Sequence, residues 1–336
     1  MDDTPLTRPL YCLCLLLYTF AGVADELGLL GVDELGPLRV RNASPVAVIF
    51  GLPRSMGGAV LRSGSELSLS AEIVNNFTGA ISGSTFATFD GETTVLEYGY
   101  RRAAGNGWEW GVDVPYIVHN GGILDGFIDG WHDLFGLPSK RSGLPKNRID
   151  YRVAYQGRTE FAILASTRGW GDVQFWGARS LLRDDGRALA ARAQIKVPTG
   201  EVERATGSGA ADFAVWLDYT DARLLKGRLV ATASLGLTAL GKGDLIPSKQ
   251  KRLAGTGHVG LRYAINGKLS VIGQLDLHSE LIDSGVAQAT GAVLLGTLGG
   301  RVHITDRLWL DLGVTEDLAG PAGSDVAFLI SLRGRP

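Results

Sequence analysis

The feature that most constrains the fold of this chain is an alternation of apolar and polar side chains at every second residue. In one stretch the apolar residues occupy alternate positions with polar or small residues between them: Trp108, Trp110, Val112, Val114, Tyr116 and Val118. Side chains of a β-strand point alternately to its two faces, so this stretch predicts a strand with one apolar and one polar face. The pattern recurs in about 12 to 14 segments joined by turn-rich stretches, which predicts an all-β chain.

The length of these segments favours a barrel that spans a membrane. Each has about 9 to 11 residues, the length of a tilted bilayer-spanning strand. Backbone N–H and C=O groups find no water in lipid, so strands cross it only in a closed barrel. We therefore predict a single antiparallel transmembrane β-barrel of about 12 strands, with a range of 12 to 14. A soluble β-sandwich or propeller also alternates and is the competing interpretation.

The N-terminus has the pattern of an export signal. A short polar start ends at Arg8, an apolar run follows from Leu10 to Ala24, and small residues close the run. The run of about 15 residues is shorter than the roughly 20 that a membrane-spanning helix needs. We predict a signal peptide at residues 1–24 and hence a protein of the bacterial outer membrane.

The remainder of the chain divides into a short leading segment and the barrel. Residues 25–45 precede the regular alternation and are a candidate plug, and residues 46–336 are assigned to the barrel. Cys12 and Cys14 are the two cysteines of the sequence, and both lie in the predicted signal peptide. The mature chain is therefore predicted to have neither disulfides nor a cysteine nucleophile.

The charge balance bears on the partners. The chain has 33 Lys and Arg against 35 Asp and Glu, so it carries no basic excess for nucleic-acid phosphates. We expect no nucleic-acid partner. The expected partners are outer-membrane lipid and the barrel-assembly machinery, for which Phe328 in the last apolar strand is the candidate terminal signal.

One segment departs from the period of two. Between His119 and Arg148, apolar residues recur at steps of three and four, which predicts a short amphipathic helix in one long connection. A connection of this length suits a lid or plug. The proposed lid or plug helix comprises Ile123, Leu124, Phe127, Ile128, Trp131, His132, Leu134 and Phe135. Asp125, Asp129 and Asp133 fall on its opposite face, where a solvated polar face is the expected role.

The polar faces of the predicted strands supply the candidate lumen. In a barrel whose outside is apolar, the charged residues between the apolar positions face the interior. The proposed lumen-lining residues are Arg148, Asp150, Arg152, Arg192, Lys196, Asp212 and Asp276.

The sequence provides no catalytic or metal-binding motif. The five histidines lie outside any nucleophile-elbow pattern, and His132 beside the aspartates of the predicted helix is more simply a solvated face. We therefore assign no catalytic residues, no metal site and no cofactor, and predict that the protein is not an enzyme.

Three phrases resemble an uncharacterised bacterial outer-membrane family, known as domain of unknown function 3187. They are GPLRVRNASPVAVIFGLP (Gly36–Pro53), GVDVPYIVHNGGILDGFIDGWHDLFGLP (Gly111–Pro138) and GWGDVQFWGARSLL (Gly169–Leu182). More loosely, TRGWGDV (Thr167–Val173) and KVPTGEVERATGSGAADF (Lys196–Phe213) are similar to outer-membrane transporters for aromatic compounds and fatty acids. The resemblance implies an outer-membrane location and passage of small apolar molecules.

These observations together indicate a passive outer-membrane channel or transporter for small hydrophobic solutes. Two alternatives remain open at this point. One is a lipid-modifying outer-membrane enzyme, and the other is a structural barrel without transport.

Overall fold

Twelve of the strands close into one antiparallel ring. The structure is a computed structural model that describes residues 36–54, 56, 60, 63–127, 130, 145–184, 186–246, 249–283, 285–286, 290–319 and 322–336. The strands are β1 (Ser65–Ser82), β2 (Thr85–Gly105), β3 (Trp108–Asn120), β4 (Asp150–Tyr155), β5 (Arg158–Ile163), β6 (Thr167–Trp170), β7 (Val173–Asp184), β8 (Arg187–Val197), β9 (Asp212–Leu224), β10 (Leu229–Ala239), β11 (Leu253–Ala264), β12 (Leu269–His278), β13 (Val293–Thr305), β14 (Leu308–Ala319) and β15 (Val326–Gly334). Going round the wall, the order is β2-β1-β15-β14-β13-β12-β11-β10-β9-β8-β7-β3, and β3 pairs back with β2. The predicted barrel and its strand number are therefore confirmed.

Three further strands extend the wall at one end. They are β4, β5 and β6. The β4–β5 hairpin pairs with the first residues of β2, and β6 pairs with the last residues of β3.

The two ends of the barrel differ in the length of their connections. At one end the strands are joined by tight turns, such as Asn106-Gly107 between β2 and β3, where both residues have positive φ as a two-residue hairpin requires. At the other end most connections are long, for example 121–149 and 198–211. In bacterial outer-membrane barrels the short turns are periplasmic, so we take the long-loop end as extracellular.

The outward positions of the wall are apolar. Leu235 on β10 is 74 % exposed, and large apolar side chains at alternate positions of its neighbours are exposed in the same way. An apolar surface of this size is stable in lipid and not in water. No helix in the described part of the chain has the length and apolar character needed to cross a membrane.

The inward positions of the wall carry buried charges. Glu66, Arg101 and Glu109 are almost completely buried on β1, β2 and β3, although all three lie on membrane-spanning strands. Trp309, at the periplasmic end of β14, is 1 % exposed and faces the same interior. Trp309 shares this inward face of β14 with Asp311, and its aromatic ring lies beside the inward guanidinium of Arg333.

The N-terminal residues fill the interior of the ring. In the segment 36–54 almost every residue is buried, and Leu38 is 0 % exposed. Their contacts, described below, place this segment inside the barrel.

The predicted helix is present, and its described part lies against the outside of the wall. Residues 125–127 and 130 are helical. Asn75 occupies an outward position of β1, and its side-chain amide donates to Asp125 at 3.0 Å. Phe127 packs edge to face on Phe328, with ring centroids 6.0 Å apart.

Candidate functional site

The candidate functional site is the lumen, which the described residues from Gly36 to Val60 (36–54, 56 and 60) occupy, with Gly36 and Val60 both toward the periplasmic end. We call this part of the chain the lumen segment. Arg301 on the inner wall donates to the carbonyls of Gly36 and Pro37, at 3.1 and 3.4 Å. Leu38 exchanges two hydrogen bonds with the Gln274 side chain, with its N–H donating at 2.9 Å and its carbonyl accepting at 3.1 Å. The segment therefore begins fixed to β12 and β13.

The lumen segment reaches its apex near the extracellular end of β8 and β9. The Lys196 ammonium donates to the Ile49 carbonyl at 2.9 Å. The Gly51 N–H donates to Asp212 at 2.8 Å, and the Gln194 amide donates to the Gly51 carbonyl at 3.0 Å. Because backbone groups on both sides of the apex are bonded to wall side chains, the apex has a defined position.

An apolar cluster surrounds this apex. Ile49, Phe50 and Leu52 pack among inward side chains of the wall and loops, including Ile117 and Tyr151. Burial of this many apolar groups stabilises the segment in place by about 25 cal/mol for each Å² removed from water. The extracellular half of the lumen is thus filled by apolar contacts.

From the apex, the segment returns to the periplasmic end. Arg54 forms a buried ion pair with Glu97, near the middle of β2. Val60 packs against Ala178 and Ala190, and its carbonyl accepts a hydrogen bond from Arg183. Its path is a hairpin with both ends at the periplasmic mouth.

Eight charged side chains of alternating sign form a continuous belt around the periplasmic half of the inner wall. The belt runs through eight strands in wall order and passes over β7: Asp218, Arg192, Glu109, Arg101, Glu66, Arg333, Asp311 and Arg301. Its contacts range from 2.6 Å, between Arg301 and Asp311, to 3.9 Å, between Arg101 and Glu109. Each of these buried charges lies beside an opposite charge, and the attraction offsets the free-energy cost of removing the charge from water.

The structure places four of the proposed lumen-lining residues in the interior. Arg192 belongs to the belt, and Lys196 pairs with Asp172 at 2.7 Å and with Asp212 at 3.1 Å. Asp276 accepts from His258 and Gln274, at 2.9 and 2.8 Å.

The other three proposed lumen-lining residues do not face the lumen. Arg148, Asp150 and Arg152 form ion pairs on the outer side of the β4 wall, and the side chains of Arg148 and Arg152 are 47 % and 41 % exposed. Their assignment is corrected because β4 lies at the extracellular end, where the interior is apolar. Tyr151 faces inward there, and burial raises the pKa of its hydroxyl group.

The described lid residues do not cover the lumen. Ile123 and Phe127 are exposed, whereas Asp125 is buried and accepts a hydrogen bond from the Asn147 N–H at 2.7 Å. The predicted solvated role of Asp125 is therefore wrong, because its carboxylate anchors the helix to the wall. The remaining members of the proposed helix lie outside the described residues: Ile128, Asp129, Trp131, His132, Asp133, Leu134 and Phe135.

A second carboxylate holds the start of the same segment. Glu92, at an outward position of β2, accepts the N–H groups of Ile123 and Leu124 at 2.8 and 2.5 Å. Both contacts pair residues more than thirty positions apart in sequence, so local periodicity could not predict them.

The sequence analysis also missed the charges of the lumen segment itself. Arg39 donates to both carboxylate oxygens of Asp113, at 3.1 and 3.2 Å, and Arg54 pairs with Glu97. Arg41 lies between them in sequence and is 5 % exposed. The available signal was the resemblance phrase Gly36–Pro53, in which Arg39 and Arg41 interrupt a mostly apolar stretch that Arg54 directly follows.

A cavity of about 30 Å³ lies beside Arg41 in the lumen. It is bounded by the lumen segment and the inner wall, with lining residues that include Val40, Arg41, Leu52, Arg54, Trp216, Ser234, Asp276 and Leu295. The lining is mixed, because Asn42, Thr256 and His278 add further polar groups to those of Arg41, Arg54, Ser234 and Asp276.

His119, His258 and His278 make structural hydrogen bonds. Thr93 and the Ala205 carbonyl lie 3.0 and 3.1 Å from the two ring nitrogens of His119, which is completely buried. Within the ranges that the structure describes, no three His, Cys, Asp or Glu side chains come together as a metal site would require.

Comparison with solved structures found one that shares this fold and others that are similar at lower scores. The outer membrane channel COG4313 from Pseudomonas putida F1 has a TM-score of 0.54 at 14 % identity, covering 82 % of this chain and 96 % of that one. The toluene transporter TbuX from Ralstonia pickettii has a TM-score of 0.41 at 12 % identity, covering 91 % and 99 %. The toluene transporter TodX from P. putida has a TM-score of 0.40 at 12 % identity, covering 88 % and 93 %.

Comparison of the sequence places the chain in a family. A search of curated proteins found no match. The family model described as "Protein of unknown function (DUF3187)" matches residues 19–335, which include the lumen segment and all strands of the barrel. The resemblance predicted from the three phrases is confirmed, and the chain belongs to this family.

Proposed function

We propose that this protein is a passive channel of the bacterial outer membrane for small hydrophobic solutes, and that the lumen segment is its plug. The observation that carries the proposal is that residues 36–60 occupy the lumen through a limited set of polar contacts and an apolar cluster. If the lumen segment moves away from the wall, this cluster separates and an apolar route opens between the two ends of the barrel. The shared fold of a protein described as an outer membrane channel supports the same function.

The plug assigned here extends further than the predicted plug at residues 25–45. Contacts with the inner wall continue to Arg54 and Val60, beyond the predicted start of the barrel at residue 46. The helix at residues 125–130 is the weaker candidate for a lid because its described contacts are with the outer wall.

The lipid-modifying enzyme has less support than the channel. A hydrolase of this kind needs a nucleophile and a base that reach lipid. His119 and His278 are both buried in the interior, away from the lipid-facing surface. We therefore infer that the protein is not an enzyme, and we propose that outer-membrane lipid and the assembly machinery contact its outer face.

A reversible cross-link tests the plug directly. A side chain built at Gly51 would place its Cβ 3.0 Å from the Cβ of Asp212. A disulfide needs about 3.5–4.5 Å between these atoms, so a small outward shift of the segment accommodates the cross-link. We expect the Gly51→Cys/Asp212→Cys variant in liposomes to lose flux of a neutral aromatic solute when oxidised and to regain it on reduction. The two single-cysteine variants are matched controls, and they should not respond to oxidation.

Flux that is the same in the oxidised and reduced double variant would contradict movement of the lumen segment. Absence of flux in the unmodified protein, under conditions where the gel mobility shows a folded barrel, would favour the structural barrel without transport. Release of fatty acid from labelled lipid by the purified protein would favour the enzyme.

A further inference from the structure

Arg41 differs from the other two arginines of the lumen segment in having no ion-pair partner. Arg39 pairs with Asp113 and Arg54 with Glu97. Arg41 is equally buried, yet Nε, Nη1 and Nη2 of its guanidinium all lack a hydrogen-bond partner among the described residues. A buried guanidinium without partners is costly, because each N–H has given up its bonds to water.

The neighbouring acidic groups do not supply this partner. Glu72, Asp113 and Asp172 are the acids whose charges act on Arg41, and none of them forms an ion pair with it in the described structure. Asp113 is already bonded to Arg39 and Trp176, and Asp172 is bonded to Lys196. Glu72 therefore balances the charge of Arg41 only from a distance, without satisfying its N–H donors.

Arg41 lines the cavity described above, and the cavity suits a small anionic group. Its volume of about 30 Å³ accommodates about two water-sized groups, since each needs roughly 10–15 Å³. This is the size of the two oxygens of a carboxylate, whose geometry matches the paired N–H donors of a guanidinium. The Nε of Arg54, also without a hydrogen-bond partner, belongs to a second side chain of the same lining.

The remainder of the lining indicates what the carboxylate is attached to. Val40, Leu52, Trp216 and Leu295 present apolar surface around the cavity. Asp276, the acidic member of the lining, is already bonded to His258 and Gln274. Asn42, Ser234, Thr256 and His278 line the remainder of the cavity. The surroundings thus combine guanidinium N–H donors that have no partner with a wall that is part apolar and part neutral polar.

We propose that the Arg41 cavity binds the carboxylate of a small amphipathic acid, with the guanidinium of Arg41 as its principal donor. The inference rests on the proposed function, since it names the solute class that the channel takes. It makes the lumen segment part of the binding site as well as a plug.

Titration calorimetry on the full-length folded protein in detergent tests the proposal, with benzoate and its neutral analogue benzamide as probes. We expect benzoate to bind at least tenfold more tightly than benzamide, and the Arg41→Gln variant to lose about 10- to 100-fold of the benzoate affinity. Arg41→Lys should retain part of the affinity. Arg158→Gln, which removes an exposed arginine on the β4–β5 hairpin, is the matched control and should bind benzoate as the unmodified protein does.

Equal affinities for benzoate and benzamide, no binding of benzoate, or unchanged benzoate affinity in Arg41→Gln would each overturn the proposal. Acetate binding as tightly as benzoate would also overturn it, because the apolar walls would then contribute nothing. The benzoate–benzamide comparison needs no variant, so it decides the matter even if Arg41→Gln fails to fold. Benzamide flux in liposomes tests the channel separately, since a channel without benzoate selectivity would still pass benzamide.

Discussion

Replacement of Arg192 by methionine should destabilise the barrel strongly. The Arg192 side chain is fully buried between Glu109 and Asp218, at 2.8 and 2.7 Å, and both carboxylates are fully buried as well. Asp218 keeps only one neutral donor, the Trp216 indole at 3.1 Å, if the guanidinium is removed. Removal of one partner of a buried ion pair typically costs about 3–5 kcal/mol, because it leaves a buried charge uncompensated. We expect a loss of this size in the free energy of unfolding.

The assay is urea unfolding in lipid vesicles followed by tryptophan fluorescence. The triple variant Arg192→Met/Glu109→Gln/Asp218→Asn should recover most of the loss, since it also neutralises the two carboxylates that Arg192 bridges, of which Glu109 otherwise keeps only the 3.9 Å contact with Arg101. Arg223→Met is a control, because the Arg223–Asp221 pair is exposed at the end of β9. If Arg192→Met costs no more than this control, or if the triple variant is as unstable as Arg192→Met, the reasoning about buried compensation is refuted.

Three other changes test separate parts of the structure. Leu235→Arg places a charge near the middle of the lipid-facing surface of β10 and should cost about 2–4 kcal/mol in the same unfolding assay, whereas a cost near that of Leu235→Ala would contradict the outward assignment. Lys196→Met removes the ammonium that holds the Ile49 carbonyl and should raise single-channel conductance, while Lys268→Met on an exposed turn should leave it unchanged. Glu92→Ala removes the acceptor for the Ile123 and Leu124 amides and should speed hydrogen exchange there, with Glu203→Ala in an exposed loop as control; equal protection in both variants would refute this anchoring role.

Alternation along the chain predicts the barrel well because each strand carries its own two faces. The charged positions of β8 illustrate this, since Arg192 and Lys196 lie on the inner face and their apolar neighbours point outward. The strand number follows for the same reason. These properties are local, so one sequence is enough to predict them.

The same rule fails in β4 because the interior changes along the barrel axis. In the periplasmic half, the inner face carries the belt of charges, whereas beside β4 in the extracellular half it meets the apolar cluster around the apex of the lumen segment. The buried pairs of Lys196 with Asp172 and Asp212 lie at the ends of β8 and β9. Tyr151 and Val153 therefore face inward, and Arg152 faces out. The alternation of β4 is identical in either orientation, so long-range neighbours decide it: Tyr151 packs on Phe89 and His119 and belongs to the same apolar cluster as the apex of the lumen segment.

The candidate site was the least predictable part for a related reason. The lumen segment has no regular periodicity, and its partners lie far away in sequence, as with Gly36 and Arg301 or Gly51 and Asp212. The phrase Gly169–Leu182, which carries the family resemblance, and the phrase Lys196–Phe213, which carries the looser similarity, meet at the apex of the lumen segment. There Asp172, Lys196 and Asp212 form ion pairs. No pattern within a single phrase indicates this meeting.

The belt of alternating charges crosses the seam where the first and last strands join. Glu66 on β1 accepts from Arg333 on β15 at 2.8 Å, while Arg333 also lies 3.6 Å from Asp311 on β14. A slip of two residues in the final pairing would keep every side chain on its correct face but would leave these ions stranded without counterions. The ion pairs therefore disfavour pairing of β1 with β15 in the wrong register. Closure of the barrel is then the step at which the native alignment of the two chain ends is selected.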